Sequence, residues 1–173
     1  MSEARHLFLG DESATQALAA ALAASQPGRA VVFLRGELGA GKSTLARAWL
    51  RALGVTGAIR SPTYTLVEQY PLPGDGKAVH LDLYRIGDAG ELEFLGLDDA
   101  GASLWLVEWP ERGTTGLPAA DLVVGLAIDG DGRAATLFPG TPAGVEWLAR
   151  MALEGQLQPL PESAQQEGAA GHG

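Results

Sequence analysis

The stretch "RGELGAGKSTLARAWL", Arg35 to Leu50, joins a glycine-rich loop to a run of helix-forming residues. Within it, residues 36–43 fit the pattern G-x-x-x-x-G-K-[ST], the P-loop. Glycines permit positive φ angles and a close approach of the backbone to a ligand, so that successive N–H groups can point at one anion. A helix that begins near Lys42 would aim the positive end of its dipole at the same anion. The stretch therefore predicts a phosphate-binding loop, and the alternative is a glycine-rich turn with a surface lysine.

The residues on either side of this loop fit the structure that a phosphate-binding loop requires. Before the loop, "AVVFL", Ala30 to Leu34, is a continuous apolar run typical of a buried parallel strand. After it, Leu45, Trp49 and Leu53 recur at i, i+4 and i+8 on one side of a helix that Gly54 ends. A strand, a loop and an amphipathic helix in this order favour the phosphate-binding interpretation over the simple turn.

Each part of such a site needs a particular side chain. We expect Lys42 to reach the β- and γ-phosphates and the Ser43 hydroxyl to ligand Mg²⁺. A carboxylate at the end of a neighbouring strand is also required, and the chain offers Asp82 after "AVHL" and Glu108 after "LWLV". Either acid could instead be a solvated strand end. The loop residues predicted to bind the nucleotide are Glu37, Leu38, Gly39, Ala40, Gly41, Lys42, Ser43 and Thr44.

Two further features allow more than one interpretation. "SPTYT", Ser61 to Thr65, places small hydroxyls beside a proline, and such a segment could respond to a γ-phosphate as a switch or form an ordinary turn. Trp109 lies between Glu108 and Pro110. It is either a core residue or an anchor that faces a partner, and its spacing does not decide between them.

The rest of the chain alternates strand and helix patterns. Ser13 and Gln16 have capping-box spacing, which predicts the start of an alanine-rich helix. The turn-rich segments 71–76 and 129–132 predict two hairpins. Strands are predicted at 6–9, 30–34, 65–70, 77–84, 104–108, 121–128 and 133–139, and helices at 11–25, 43–53, 89–97 and 144–153.

These patterns predict a single α/β domain of the P-loop NTPase class over residues 1–155. Its central sheet should be mostly parallel, with antiparallel hairpins and helices on both faces. Residues 156–173 are rich in Gly, Pro, Gln and Ala and predict a disordered C-terminal tail.

Composition excludes several classes of protein. The 173 residues contain no cysteine, so disulfides and thiolate metal sites are excluded. The sequence has no apolar run of about 18 to 20 residues and no signal peptide pattern, so we expect a cytoplasmic protein with no membrane association. A net charge of −9 makes the free chain a poor binder of nucleic acid. Contact with RNA is therefore expected only through a partner.

Five segments occur in a characteristic order: "GELGAGKST", "SPTYTLVEQY", "HLDLYR", "ELEFLGLDD" and "LVEWPERG". Together they resemble the bacterial TsaE family, also called YjeE, the small ATPase of tRNA threonylcarbamoyladenosine biosynthesis. The resemblance covers approximately residues 5–150. It implies ATP or ADP and Mg²⁺ as cofactors and association with a TsaB–TsaD pair. It also implies that ATP hydrolysis supports repeated threonylcarbamoyl transfer to adenosine at position 37 of tRNA, with the transfer chemistry on the partner.

The resemblance also implies roles for particular residues. Residues 39–43 would bind the phosphates, and Ser43 and Glu108 would hold Mg²⁺. Asp82 would be needed for hydrolysis, through the attacking water. Lys42, Asp82 and Glu108 would therefore form the catalytic group. Ser43 stands where the family often has threonine, and either hydroxyl can ligand Mg²⁺.

The resemblance assigns less definite roles to residues further from the loop. Thr63 and Thr65 would lie in a switch-like segment, and Glu12 and Arg133 would border the nucleotide base. The sequence does not define the surface that meets the partner, and Trp109 and the switch-like segment are the candidates for it.

Three other functions compete with an ATPase subunit. A small-molecule kinase usually carries an arginine-bearing lid, but the twelve Lys and Arg residues here are scattered. A GTPase commonly recognises guanine with an N-K-x-D motif, and the chain contains no asparagine. A non-hydrolysing module that uses nucleotide only to change shape shares the same loop and stays open.

Overall fold

The computed structural model describes residues 4–87, 101–113, 116–151 and 158–159. Within them, all strands belong to one sheet, in the order β3-β4-β5-β2-β6-β7-β1-β8. The strands are β1 (Arg5–Leu9), β2 (Ala30–Arg35), β3 (Val67–Pro71), β4 (Lys77–Asp82), β5 (Ala102–Glu108), β6 (Leu122–Asp129), β7 (Gly132–Pro139) and β8 (Gln158–Pro159). The helices are α1 (Glu12–Ser25), α2 (Lys42–Ala52) and α3 (Pro142–Arg150), with a short 3₁₀ helix at Pro110–Arg112.

The centre of the sheet is parallel and its margins are antiparallel. Strand β2 pairs in parallel with β5 on one side and β6 on the other, and β4 pairs in parallel with β5. The predicted hairpins form β3–β4 and β6–β7. The predicted fold class is therefore confirmed, and the loop after β2 leaves the sheet at its parallel centre, where α/β folds bind ligands.

The two faces of the sheet carry separate apolar clusters. The first cluster holds buried residues of α1, α2 and α3, and within it Trp49 and Trp147 meet edge to face with ring centroids 5.8 Å apart. The indole N–H groups of these two residues donate to the Gln26 side chain and the Leu22 carbonyl. The second cluster packs strand residues against Leu83 and other loop residues. The helix predicted at 89–97 lies outside the described residues.

The start of α1 differs from the prediction. Asp11, not Ser13, caps the helix, and its carboxylate accepts from the Ala14 N–H at 2.9 Å. Asp11 has an extended backbone, whereas Ser13 already lies in the first helical turn. A carboxylate at this position also interacts favourably with the helix dipole, so the capping box predicted from Ser13 and Gln16 is wrong.

Asp121 connects the sheet to α3. Its Oδ2 atom accepts from the Val31 N–H at 2.9 Å, and its Oδ1 atom accepts from the Thr141 hydroxyl at 2.7 Å. Thr141 in turn caps α3 by accepting from the Gly144 N–H. One carboxylate thus holds the start of β2 and the start of α3 together.

The C-terminal tail predicted at 156–173 lies outside the described residues except for Gln158–Pro159, which pair with β1. Disorder of the remainder stays a prediction. Among the described residues, no helix combines the length and the apolar character needed to cross a membrane.

Candidate functional site

The loop between β2 and α2 has a backbone shape that only glycine tolerates. Gly36 has a φ of +149°, and a Cβ atom there would lie 2.5 Å from the Leu126 carbonyl oxygen. Gly41 has a φ of +106° and occupies the N-cap position of α2, where it supplies no capping side chain. The first N–H groups of α2 are therefore left without a side-chain cap, as an anion-binding helix end requires.

Lys42 lies inside the loop rather than on the surface. Its side chain is 5% exposed. The Nζ atom donates to the Gly36 carbonyl and lies 3.9 Å from the centroid of the Trp109 ring. Burial lowers the pKa of Lys42, and the carboxylates of Glu108 and Asp82 oppose that shift. The alternative of a surface lysine on a simple turn does not fit this position.

The two strand-end acids lie side by side at the mouth of the loop. Asp82 ends β4 and Glu108 ends β5, and the two residues are partners in the parallel register. Both are buried. The Ser43 hydroxyl donates to Glu108 Oε1 at 3.1 Å. The structure thus brings Lys42, Ser43, Asp82 and Glu108, predicted as one site, into one cavity.

His80 belongs to this group, although sequence reasoning missed it. Its Nε2 atom lies 2.6 Å from Glu108 Oε2, and both residues are 2% exposed. The sequence did contain one indication of this position. Side chains alternate between the two faces of a strand, so His80 and Asp82, two residues apart, lie on the same face of β4. Nothing in the sequence alone says that Glu108 faces them from the next strand.

Thr63 and Thr65 of the switch-like segment have different positions. Thr63 lines the cavity, and its hydroxyl lies 3.5 Å from Asp82 Oδ2. The Thr65 hydroxyl instead donates to the carboxylate of the half-buried Glu68 at 3.1 Å. Leu66, which follows, has a φ of +68°, and its carbonyl accepts from the Asp82 N–H. The strained backbone of Leu66 thus places its carbonyl where it holds the end of β4, which carries Asp82.

Trp109 is placed at the site rather than deep in the core. Its φ of +56° is uncommon for a residue with a large side chain. The half-buried indole packs against the second apolar cluster. It also contacts the Lys42 ammonium and the Tyr84 ring, whose centroid lies 4.9 Å away. The Arg112 guanidinium lies 4.9 Å from the Tyr84 ring. The left-handed turn thus directs the indole at the glycine-rich loop.

Two cavities meet at the loop. One, of about 280 Å³, is lined by residues 37–44 together with Thr63, Asp82, Glu108 and Trp109. The other, of about 250 Å³, includes Glu12 and Leu126 in its lining and shares Ala40, Gly41 and Thr44 with the first. Arg133 lines both cavities. The second cavity is where the predicted base-contacting residues Glu12 and Arg133 come together.

Arg133 reaches the loop from β7. Its Nε atom donates to the Ala40 carbonyl at 3.1 Å, and its Nη2 atom donates to the Gly39 carbonyl at 3.2 Å. A third bond runs from Nη1 to the carbonyl of Gly132. The guanidinium therefore braces the glycine-rich loop from across the sheet, a role that the sequence did not indicate.

The central parallel strand, the glycine-rich loop, the helix after it and the strand-end carboxylates define a P-loop NTPase fold. Residues 9–135 match the model of the family described as threonylcarbamoyl adenosine biosynthesis protein TsaE. The chain belongs to this family, a family of tRNA threonylcarbamoyladenosine biosynthesis, and the predicted resemblance is confirmed.

Individual relatives agree with this membership. The chain is similar to the tRNA threonylcarbamoyladenosine biosynthesis protein TsaE of Haemophilus influenzae, with 45% identity over 116 residues, 66% of this chain and 73% of that protein. It is 42% identical to the protein of the same name from Aquifex aeolicus over 110 residues, 62% of this chain and 78% of that protein. The crystal structure of Bacillus subtilis YdiB superposes with a TM-score of 0.73 at 26% identity, covering 87% of this chain and 95% of that one.

Proposed function

We propose that this protein binds ATP with Mg²⁺ and hydrolyses it as the ATPase subunit of tRNA threonylcarbamoyladenosine biosynthesis. The observation that carries the proposal is the placement of Ser43, Glu108 and Asp82 around the mouth of the phosphate-binding loop. A loop used only as a turn has no need for two buried carboxylates and a hydroxyl at that point.

Nucleotide binding is supported by the shape and charge of the loop. The uncapped N–H groups at the start of α2 and the Lys42 ammonium face the larger cavity, so phosphates bound there would meet backbone donors and one positive charge. The adjoining cavity beside Glu12 and Arg133 offers room for the ribose and base. ATP or ADP is therefore the proposed ligand.

The donors at the site fit Mg²⁺. Ser43 and Glu108 present a hydroxyl and a carboxylate that lie 3.1 Å apart, and oxygen donors are what Mg²⁺ prefers. In the described part of the chain, no group of three or more His, Asp or Glu side chains could hold a metal by itself. Mg²⁺ commonly takes its remaining ligands from substrate phosphates and water. When bound, the ion supplies positive charge that neutralises charge on the phosphates.

Asp82 is the proposed partner of the attacking water. Its Oδ1 atom accepts from the Tyr84 N–H at 3.0 Å, and its Oδ2 atom lies near the Thr63 hydroxyl. These contacts fix the Asp82 carboxylate at the cavity wall, next to Glu108, its register partner on β5. A carboxylate in this position can orient water and accept its proton, while Lys42 stabilises charge on the phosphates.

We further propose that hydrolysis supports turnover of a TsaB–TsaD pair and that tRNA contact is indirect. Family membership supports this proposal, as does the surface beside the site. Tyr64 is 82% exposed and lies against the exposed Arg85, close in sequence to Thr63 and Asp82. A large exposed aromatic residue beside a nucleotide site suits recognition of a protein partner. The proposal places the protein in the cytoplasm.

The test is ATP turnover with Mg²⁺, measured for this protein alone and with a purified TsaB–TsaD pair. We expect turnover that the pair stimulates. The Asp82→Asn variant should lower turnover about 10²- to 10⁴-fold and still bind nucleotide, whereas Asp75→Asn, in the turn between β3 and β4, should behave as the wild type. Negligible turnover in both conditions with nucleotide bound would instead identify a non-hydrolysing regulatory module. Phosphate transfer to a small molecule would identify a kinase.

A further inference from the structure

His80 lies directly behind the carboxylate that the proposed function assigns to Mg²⁺. The distance between His80 Nε2 and Glu108 Oε2 is 2.6 Å, and both residues are 2% exposed. A carboxylate oxygen accepts, so the imidazole donates its Nε2–H in this bond. Among the described residues, no hydrogen-bond partner faces the buried Nδ1 atom.

Strand register produces this contact. Asp82 and Glu108 are direct partners on β4 and β5, and His80 stands two residues before Asp82 on the same face. The imidazole therefore approaches Glu108 from the interior of the sheet, on the side away from the cavity mouth. His80 does not line the cavity that holds Ser43 and Asp82.

The two oxygens of Glu108 have different nearest partners. Oε2 is closest to His80, whereas Oε1 lies 3.1 Å from the Ser43 hydroxyl, which is 3.4 Å from Oε2. A buried carboxylate needs donors, and one strong donor on one oxygen also fixes the rotation of the group. The other oxygen is then held toward Ser43.

We propose that His80 is a positioning residue that holds the Glu108 carboxylate with Oε1 directed at Ser43 and the Mg²⁺ position. This inference rests on the proposed function. The alternative is a purely structural role, in which His80 only fills space in the core. Groups behind a metal ligand typically change metal affinity by about 10- to 100-fold when removed, which a space-filling residue does not do.

The experiment compares His80→Leu with His80→Gln in the full chain. Binding of a non-hydrolysable ATP analogue is measured by calorimetry over a Mg²⁺ titration. His80→Leu should raise the Mg²⁺ concentration for half-maximal binding at least about tenfold, because Oε2 loses its donor. In His80→Gln the side-chain amide can reach the position of Nε2, so the Mg²⁺ requirement should return to within about threefold of the wild type. Affinity measured without Mg²⁺ should be the same in all three proteins.

Val79→Ala is the matched control, since Val79 is the buried neighbour of His80 on β4 and faces the second apolar cluster. It should lower the melting temperature and leave the Mg²⁺ requirement unchanged. A Mg²⁺ requirement for His80→Leu within about twofold of the wild type, or an equal rise in Val79→Ala, overturns the proposal. In a Glu108→Gln background, His80→Leu should add no further shift.

If His80→Leu does not fold, His80→Asn takes its place, because the shorter amide cannot reach Oε2. A raised Mg²⁺ requirement in the asparagine variant but not in the glutamine variant supports the proposal, and equal requirements overturn it. Absence of Mg²⁺-dependent binding in the wild type would overturn the proposed function itself. That result is distinct from failure of the His80 proposal.

Discussion

Replacing Arg133 with alanine should loosen the phosphate-binding loop and weaken nucleotide binding. The guanidinium makes two hydrogen bonds from β7 to loop carbonyls, to Ala40 at 3.1 Å and to Gly39 at 3.2 Å. The third bond, to Gly132, is local to β7 and does not reach the loop. Only the first two bonds are lost from the loop in the variant.

The size of the effect follows from those two bonds. Arg133 is half-buried, so each bond should stabilise the ordered loop by about 0.5–1 kcal/mol rather than by the larger amount found for buried charged groups. Together they contribute about 1–2 kcal/mol, which corresponds to a loss of about 5- to 30-fold in affinity if the loop must be ordered to bind. Arg133→Lys should lose an intermediate amount, since one ammonium cannot bridge both carbonyls in the same way.

The assay distinguishes this role from a contact with the base. ATP and inorganic tripolyphosphate, which has no base, are each titrated against both variants with Mg²⁺ present. Loop bracing predicts that both ligands weaken by the same factor. If ATP binds less tightly while tripolyphosphate is unaffected, Arg133 acts on the nucleoside and the loop-bracing argument is refuted.

Three further predictions concern charge and stability. Burial lowers the pKa of Lys42, and the nearby carboxylates of Glu108 and Asp82 oppose that shift. Because the buried ammonium costs stability at pH 7, Lys42→Met should raise the melting temperature of the nucleotide-free protein. The same variant should weaken ATP binding about 100-fold, because it removes the positive charge beside the phosphates. That thermal gain should shrink as the pH rises from the lowered pKa toward 10.5, where the unfolded lysine also loses its proton. In steady-state kinetics, Asp82→Asn should lower the turnover number about 10²- to 10⁴-fold with little change in nucleotide affinity. Glu108→Gln should mainly raise the Mg²⁺ concentration that turnover requires. The reverse pattern would exchange the roles of the two acids. Asp121→Ala should lower the free energy of unfolding in urea by about 2 kcal/mol, since it removes the acceptor for Val31 and Thr141, and a loss below about 0.5 kcal/mol would contradict this.

The elements that the sequence predicted well are those whose signal is local. The β6–β7 hairpin follows from two strand patterns around "DGDG", and α2 follows from apolar residues at helical spacing after the loop. Where two local signals competed, the outcome depended on geometry. Asp11 and Ser13 are both good capping residues, and the extended backbone at Asp11 decides in its favour.

In the candidate site, too, the sequence predicted individual residues, whereas their contacts depended on the tertiary structure. Asp82 and Glu108 were both predicted from their positions at strand ends, but their pairing depends on β4 lying next to β5. Trp109 had two possible environments, and the left-handed backbone at this residue places its ring against Lys42. Thr65 lies in the predicted switch-like segment, yet its hydroxyl bonds to Glu68 and not to a residue of the cavity.

The shape of the glycine-rich loop is determined by the sequence itself, because its donors are consecutive backbone N–H groups whose direction is set by adjacent glycines and by the start of one helix. The supporting contacts are decided only by tertiary structure. His80 and Glu108 are 28 positions apart, and Arg133 and Ala40 are 93 positions apart. Such pairs meet only when strand order and register are set by packing of the whole sheet, and neither order nor register is a property of any short segment.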